Sequence, residues 1–160
     1  RINPAAGVGS LSLLELYDVR WRLKPFPWSY SIDFKPNRRW FYHGTDSYTI
    51  ARILNEGFKV GPPRSGRMLG DGVYATYHTN KGKTYGTDGY VISVMVYATK
   101  TLVVNPGQSI DQATITSAPS HYDALEVRKG AIMPSCAMKN HEICVFDTHR
   151  IIPRFIIKIA

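Results

Sequence analysis

The chain has 160 residues, 44% of them hydrophobic, a formal net charge of +8 at pH 7 and two cysteines. That length supports one hydrophobic core and is short for two, so a single domain spanning residues 1–160 is expected. Cys136 and Cys144 are too few for a disulfide scaffold and lack the spaced His and Cys of a zinc centre. Reduced thiols and no metal site are expected.

No apolar run approaches the roughly 20 residues that cross a bilayer, so a soluble protein without a membrane partner is expected. The arginines (Arg20, Arg22, Arg38, Arg39, Arg64, Arg67) are scattered or paired rather than clustered. They read as a solvated basic face, which suits a nucleic acid or the attraction of a dinucleotide diphosphate equally. The chain opens at Arg1 with no charged-then-apolar leader, so any targeting signal is expected to have been removed or to belong to a longer parent.

Residues Tyr17 to Leu23 alternate apolar and polar with the period of a half-buried strand, whereas Leu11 to Leu16 is ambiguous. A Pro-punctuated stretch with a second alternation, Tyr30, Ile32 and Phe34, reads as loop plus a short strand. Arg39 to His43 is an aromatic strand. Asp46 or Ser47 then caps a helix with Ile50, Ile53 and Leu54 on its apolar face, and Gly57 ends it. Gly61 to Gly66 is a loop leading into a strand at Val73 to Ala75, and a short helix is expected around Asn80 to Tyr85. Tyr90–Ala98 and Thr101–Val104 are β-rich, and Asn105 to His121 has turn chemistry with little periodicity. Glu142–Phe146 and Ile151–Ile159 are the closing β-branched runs. Strands dominate, giving an α+β domain built on antiparallel sheet.

Four patterns follow one another: Tyr42-His43-Gly44-Thr45; Leu69-Gly70-Asp71-Gly72-Val73-Tyr74; Lys81 to Tyr85; and Asn140-His141-Glu142 running to Asp147. In this order and spacing they resemble the ADP-ribosyltransferases of the poly(ADP-ribose) polymerase type, the diphtheria-toxin-like class with a His, Tyr, Glu set. The likeness covers residues 37–160, the expected transferase core, and residues 1–36 carry little of it. It implies two packed, mainly antiparallel sheets with a few short helices and an NAD cleft between them. NAD would be the co-substrate, with no metal.

Cleaving the nicotinamide N-glycosidic bond passes through a cation-like transition state, so a carboxylate must lie near the developing charge. Glu142 opens an otherwise apolar strand, where an acid needs a reason to exist. The alternative is a strand-end charge in water. The resemblance makes Glu142 the catalytic glutamate, with His43 and Tyr74 as the other members of the set. It implies that His43 hydrogen-bonds ribose hydroxyls, that the Gly44 backbone pairs with the nicotinamide carboxamide, and that Thr45 contacts the adenosine ribose. Gly72 permits close backbone approach, while Tyr74 and Tyr85 wall the nicotinamide slot. A polar strand end for His43 and core roles for both tyrosines are the plainer readings.

Gly82 departs from the family's usual Ser and loses a hydroxyl contact to the amide. Lys59 falls where a basic residue often lies over the adenosine half, and Arg64 and Arg67 sit in the loop that would cover the diphosphate. Solvated loop charges explain all three equally well.

The covering loop Gly61–Gly70 and the stretch before Glu142 are short, which favours transfer of single ADP-ribose units, most simply to protein. The basic charge also admits a nucleic-acid acceptor. Two other readings stand beside this one: a catalytically inactive module binding ADP-ribose, protein or nucleic acid on the same fold, and an RNA 2′-phosphotransferase. An intracellular setting, cytoplasm or nucleus, is the expectation, with action inside a target cell as a secreted effector as its alternative.

Overall fold

A computed structural model describes residues 13–18, 38–61, 67–78 and 90–159. Eight strands lie in the order β1-β8-β4-β2-β3-β7-β6-β5. They are β1 (Leu13–Asp18), β2 (Arg38–Gly44), β3 (Val73–Thr76), β4 (Tyr90–Tyr97), β5 (Thr101–Val104), β6 (Ala124–Val127), β7 (Glu142–Val145) and β8 (Ile151–Ile159). Every neighbouring pair is antiparallel except β5 with β6. The α+β expectation therefore holds.

The arrangement of the sheet differs from the expected pair. Hydrogen bonding makes one continuous eight-stranded sheet, yet its halves barely touch. β2 pairs with β4 along its whole length, from Arg38↔Tyr97 to Gly44↔Val91, whereas β2 and β3 share a single register pair, Tyr42↔Thr76. Two four-stranded halves thus meet at one point and part beyond it.

Helix α1 (Ser47–Glu56) follows β2 directly. Asp46 caps it, its carboxylate accepting from the Thr49 amide at 2.7 Å, and Gly57 ends it at φ 79°, where a side chain would be strained. Ile50 and Ile53 pack with Phe41, Phe58, Val73, Ala75, Ile92, Ile143 and Val145, filling the core on one face. The opposite face of the β3-to-β5 half carries a second core: Leu69, Val104, Ile115, Leu125, Val127, Met133 and Cys144. Period-two alternation decides which residue serves which core, for Ile143 and Val145 enter the first and Cys144 the second. The α1 side is called face A below, and the other face B.

Three sequence expectations change. The first strand includes the stretch left ambiguous, Leu13–Asp18, where β1 takes its register from β8, pairing Tyr17 with Ile156 and Asp18 with Phe155; the expected strand's residues 19–23 lie outside the described residues. The polar region after Asn105 contains a six-residue helix α2 (Gln112–Ser117), capped by Asp111, which accepts from the Thr114 amide at 2.7 Å. β6 was not expected at all. The expected helix at Asn80–Tyr85 and the alternation at Tyr30 to Phe34 lie outside the described residues.

Both cysteines are free, Cys136 exposed and Cys144 buried. Burial pushes the Cys144 thiol up to about 12, so it is a neutral core group at physiological pH.

Candidate active site

β2 ends at His43-Gly44, where its ladder with β3 has already stopped. Past Tyr42↔Thr76, the Tyr74 carbonyl finds a side chain in place of a backbone amide: His43 Nδ1 lies 2.6 Å from it. A carbonyl oxygen only accepts, so Nδ1 carries the proton and donates. The ring also meets Phe58 edge-on at 5.2 Å. Desolvation lowers the His43 pKa from its ordinary value, and the hydrogen bond to Tyr74 only partly offsets it. The imidazole is neutral at pH 7, and its Nε2 therefore presents a lone pair.

Tyr74 is fixed at both ends. Its hydroxyl donates to the Gly70 carbonyl at 2.8 Å and accepts from the Leu69 amide at 2.8 Å, binding the glycine-rich turn to β3. Burial, together with the Cys144 thiol and the Glu142 carboxylate, pushes the phenol well above its ordinary range. Glu142 begins β7, partly exposed, opposite Thr76 on one side and Val127 on the other. Directly opposed residues share a face, so Glu142, Thr76, Tyr74 and Cys144 all belong to face B.

His43 does not belong with them by alternation. It follows Phe41 on face A, one residue past Tyr42, and meets the backbone carbonyl of Tyr74 where the β2–β3 ladder has stopped. Tyr74 links the two faces: its carbonyl meets His43, and its side chain stands on the face that carries Glu142.

The remaining expected residues fall in different surroundings. Thr45 stands between β2 and the Asp46 cap. Gly72 is buried for a reason internal to the fold: a Cβ there would sit 2.5 Å from Cys144 Sγ and 2.6 Å from the Val145 carbonyl oxygen, so β7 itself excludes a side chain. Lys59 is exposed, its ammonium 2.9 Å from Glu56 Oε2. Arg67 turns inward, donating to the Gly61 carbonyl at 2.9 Å and lying 3.6 Å from Asp71, so it ties the described ends of the 61–70 loop together. Gly82, Tyr85 and Arg64 lie outside the described residues.

One cluster escaped the sequence reading. Glu126, in β6, is completely buried, and its carboxylate takes both Arg39 guanidinium nitrogens, Nη1 on Oε1 and Nη2 on Oε2 at 2.9 Å, while His141 Nε2 lies 2.5 Å from Oε2. Burial alone would raise this carboxyl, but the His141 and Arg39 hydrogen bonds outweigh it and hold the pKa at about 2. The only hint in the sequence is a lone acid between Leu125 and Val127.

Residues 10–98, more than half of the chain, match the family described as "Poly(ADP-ribose) polymerase catalytic domain". The match includes His43, Gly72, Tyr74 and Tyr85 and stops short of Glu126 and Glu142. Over 96 residues the chain is 30% identical to "Protein mono-ADP-ribosyltransferase PARP3" of Mus musculus, an alignment covering 58% of this chain and 18% of that protein. The chain thus spans less than a fifth of that relative's length. Family match, strand order of motifs and the His43–Tyr74 contact agree, and the chain belongs to the poly(ADP-ribose) polymerase catalytic-domain family.

Proposed function

We propose that this domain is an NAD-dependent ADP-ribosyltransferase that cleaves the nicotinamide glycosidic bond of NAD and passes single ADP-ribose units to a protein acceptor. The observation that carries the reading is the His43–Tyr74 bond. It fixes the tautomer so that a neutral imidazole offers Nε2 as an acceptor, the complement of a ribose hydroxyl. Gly44, at the parting of β2 from β3, offers backbone polar groups for a carboxamide. Tyr74, its hydroxyl already saturated by Leu69 and Gly70, contributes a ring face and no competing donor.

When the glycosidic bond breaks, its electron pair leaves with nicotinamide, which becomes neutral, and positive charge grows on the ribose. A carboxylate in Glu142's position stabilises that charge and takes the proton from the acceptor nucleophile as the new bond forms. The mouse relative is named a mono-ADP-ribosyltransferase, which supports single-unit transfer.

The test is incubation with NAD labelled in its adenylate half, followed by sizing of the labelled products with and without added protein or RNA. One added unit per acceptor site on protein is expected. A ladder of increasing size means polymer formation, label on RNA alone means a nucleic-acid acceptor, and bound but uncleaved NAD means a binding module.

A further inference from the structure

Glu126 has no part in the chemistry just described, yet among the described residues it is the one acid with no solvent exposure. Burying a carboxylate carries a desolvation cost that its ion pairs must offset, so the complete burial of Glu126 beside a half-exposed Arg39 calls for a reason other than stability. The reason lies in what the cluster connects. Arg39 comes from β2 and Glu126 from β6. His141 immediately precedes β7, and Tyr77, immediately after β3, stacks on the His141 ring at 5.1 Å and 12°. The Tyr77 amide also donates to the His141 carbonyl at 3.1 Å. The cluster therefore gathers four segments at the point where β7 begins.

We infer that Arg39, Glu126 and His141 form a clamp that fixes the start of β7 and thereby holds Glu142 on the Tyr74 face. The inference rests on the reading of Glu142 as the catalytic carboxylate. Strand alternation supplies the mechanism: His141 and Glu142 are consecutive, so a side chain tied to Glu126 on face A sends the next one to face B. Glu142 is the first residue of the β7 ladder on both sides, pairing with Thr76 and Val127, and a strand end frays unless something outside the ladder holds it. A slip of one residue would turn Glu142 to the wrong face. The bidentate Arg39 fork makes the anchor directional, because it fixes the carboxylate plane against which His141 docks. None of the three touches the reacting atoms in this account, and they are positioning residues.

The test compares His141→Leu, which removes the bond to Glu126, with His141→Gln, whose amide can donate to it. Nicotinamide release and hydrogen exchange at the Tyr77 amide are read in both. His141→Leu is expected to lower kcat by about tenfold to a hundredfold, the cost of a misplacement near 1 Å, with little change in KM for NAD and faster exchange at Tyr77. His141→Gln is expected to recover most of both. Arg39→Lys, which keeps the charge and loses the fork, serves if His141→Leu fails to fold, with the same direction of effect.

Unchanged exchange, a loss confined to KM, or equal loss in the Leu and Gln variants overturns the clamp. If the wild type releases no nicotinamide, the proposed function fails. Exchange at Tyr77 then decides the clamp alone: faster in the Leu variant and restored in the Gln variant supports it, and unchanged overturns it.

Discussion

His43 donates one proton to the Tyr74 carbonyl and, being desolvated, does not hold a second at neutral pH. Its folded pKa lies below the ordinary value near 6.5, so the neutral ring is fully present above that pH and is lost as pH falls through the lowered value. NAD affinity, measured by calorimetry, is therefore expected to be flat from pH 8 to 6.5 and to fall only below. A decline already under way between pH 8 and 7 would mean a raised pKa and a different role for the ring. Glu126 follows the opposite charge logic. Its carboxyl is held at about 2, beneath the ordinary value near 4.3, so its stabilisation is full above the ordinary value and disappears as pH falls from there toward 2. Because Arg39 is 44% exposed, solvent screens the pair, and Glu126→Gln is expected to cost roughly 2 kcal/mol at pH 7. Urea unfolding should show that difference narrowing below about pH 4, and a constant difference down to pH 2 would count against the pairing.

At the scale of elements, what was legible depended on whether local chemistry or a distant partner set the structure. α1 could be read from Asp46, its apolar spacing and Gly57, since caps and periodicity act within one turn. β2, β3, β4, β7 and β8 were legible as β-branched or aromatic runs. β6 was not, because Glu126 interrupts its apolar run and finds its partners in Arg39 and His141, 87 and 15 residues away in sequence. Leu13 to Leu16 was ambiguous for the same reason: its strand character comes from pairing with β8 rather than from its own pattern. Gly72 carries a second demand that the sequence did not show: the space of its absent side chain is held by Cys144 and Val145 of β7. Gly72→Ala should accordingly destabilise the domain by roughly 3 kcal/mol through overpacking, lowering the melting temperature by about 6–12 °C. A variant that melts like the wild type but binds NAD poorly would return the glycine to the ligand.

For the whole molecule, the central feature is the near-division of the sheet. A continuous ladder would have set His43 and Glu142 on opposite faces, and a complete division would have removed the Tyr42↔Thr76 pair that keeps the halves in register. Beyond that single pair the Tyr74 carbonyl meets the His43 ring in place of a backbone amide, with Glu142 one strand further on. The motifs were legible because each is a short stretch at a strand end. They did not reveal the parting of β2 from β3 or the Glu126 clamp, which arise from pairings between segments far apart in the chain.

The account turns on Glu142 as the chemical group, and steady-state nicotinamide release from NAD, wild type against Glu142→Gln, tests it most directly. Glutamine keeps the shape and the hydrogen bonding while removing the charge. Release is expected to fall on the order of a hundredfold to a thousandfold with NAD affinity nearly unchanged. Equal release by the two proteins would contradict the account.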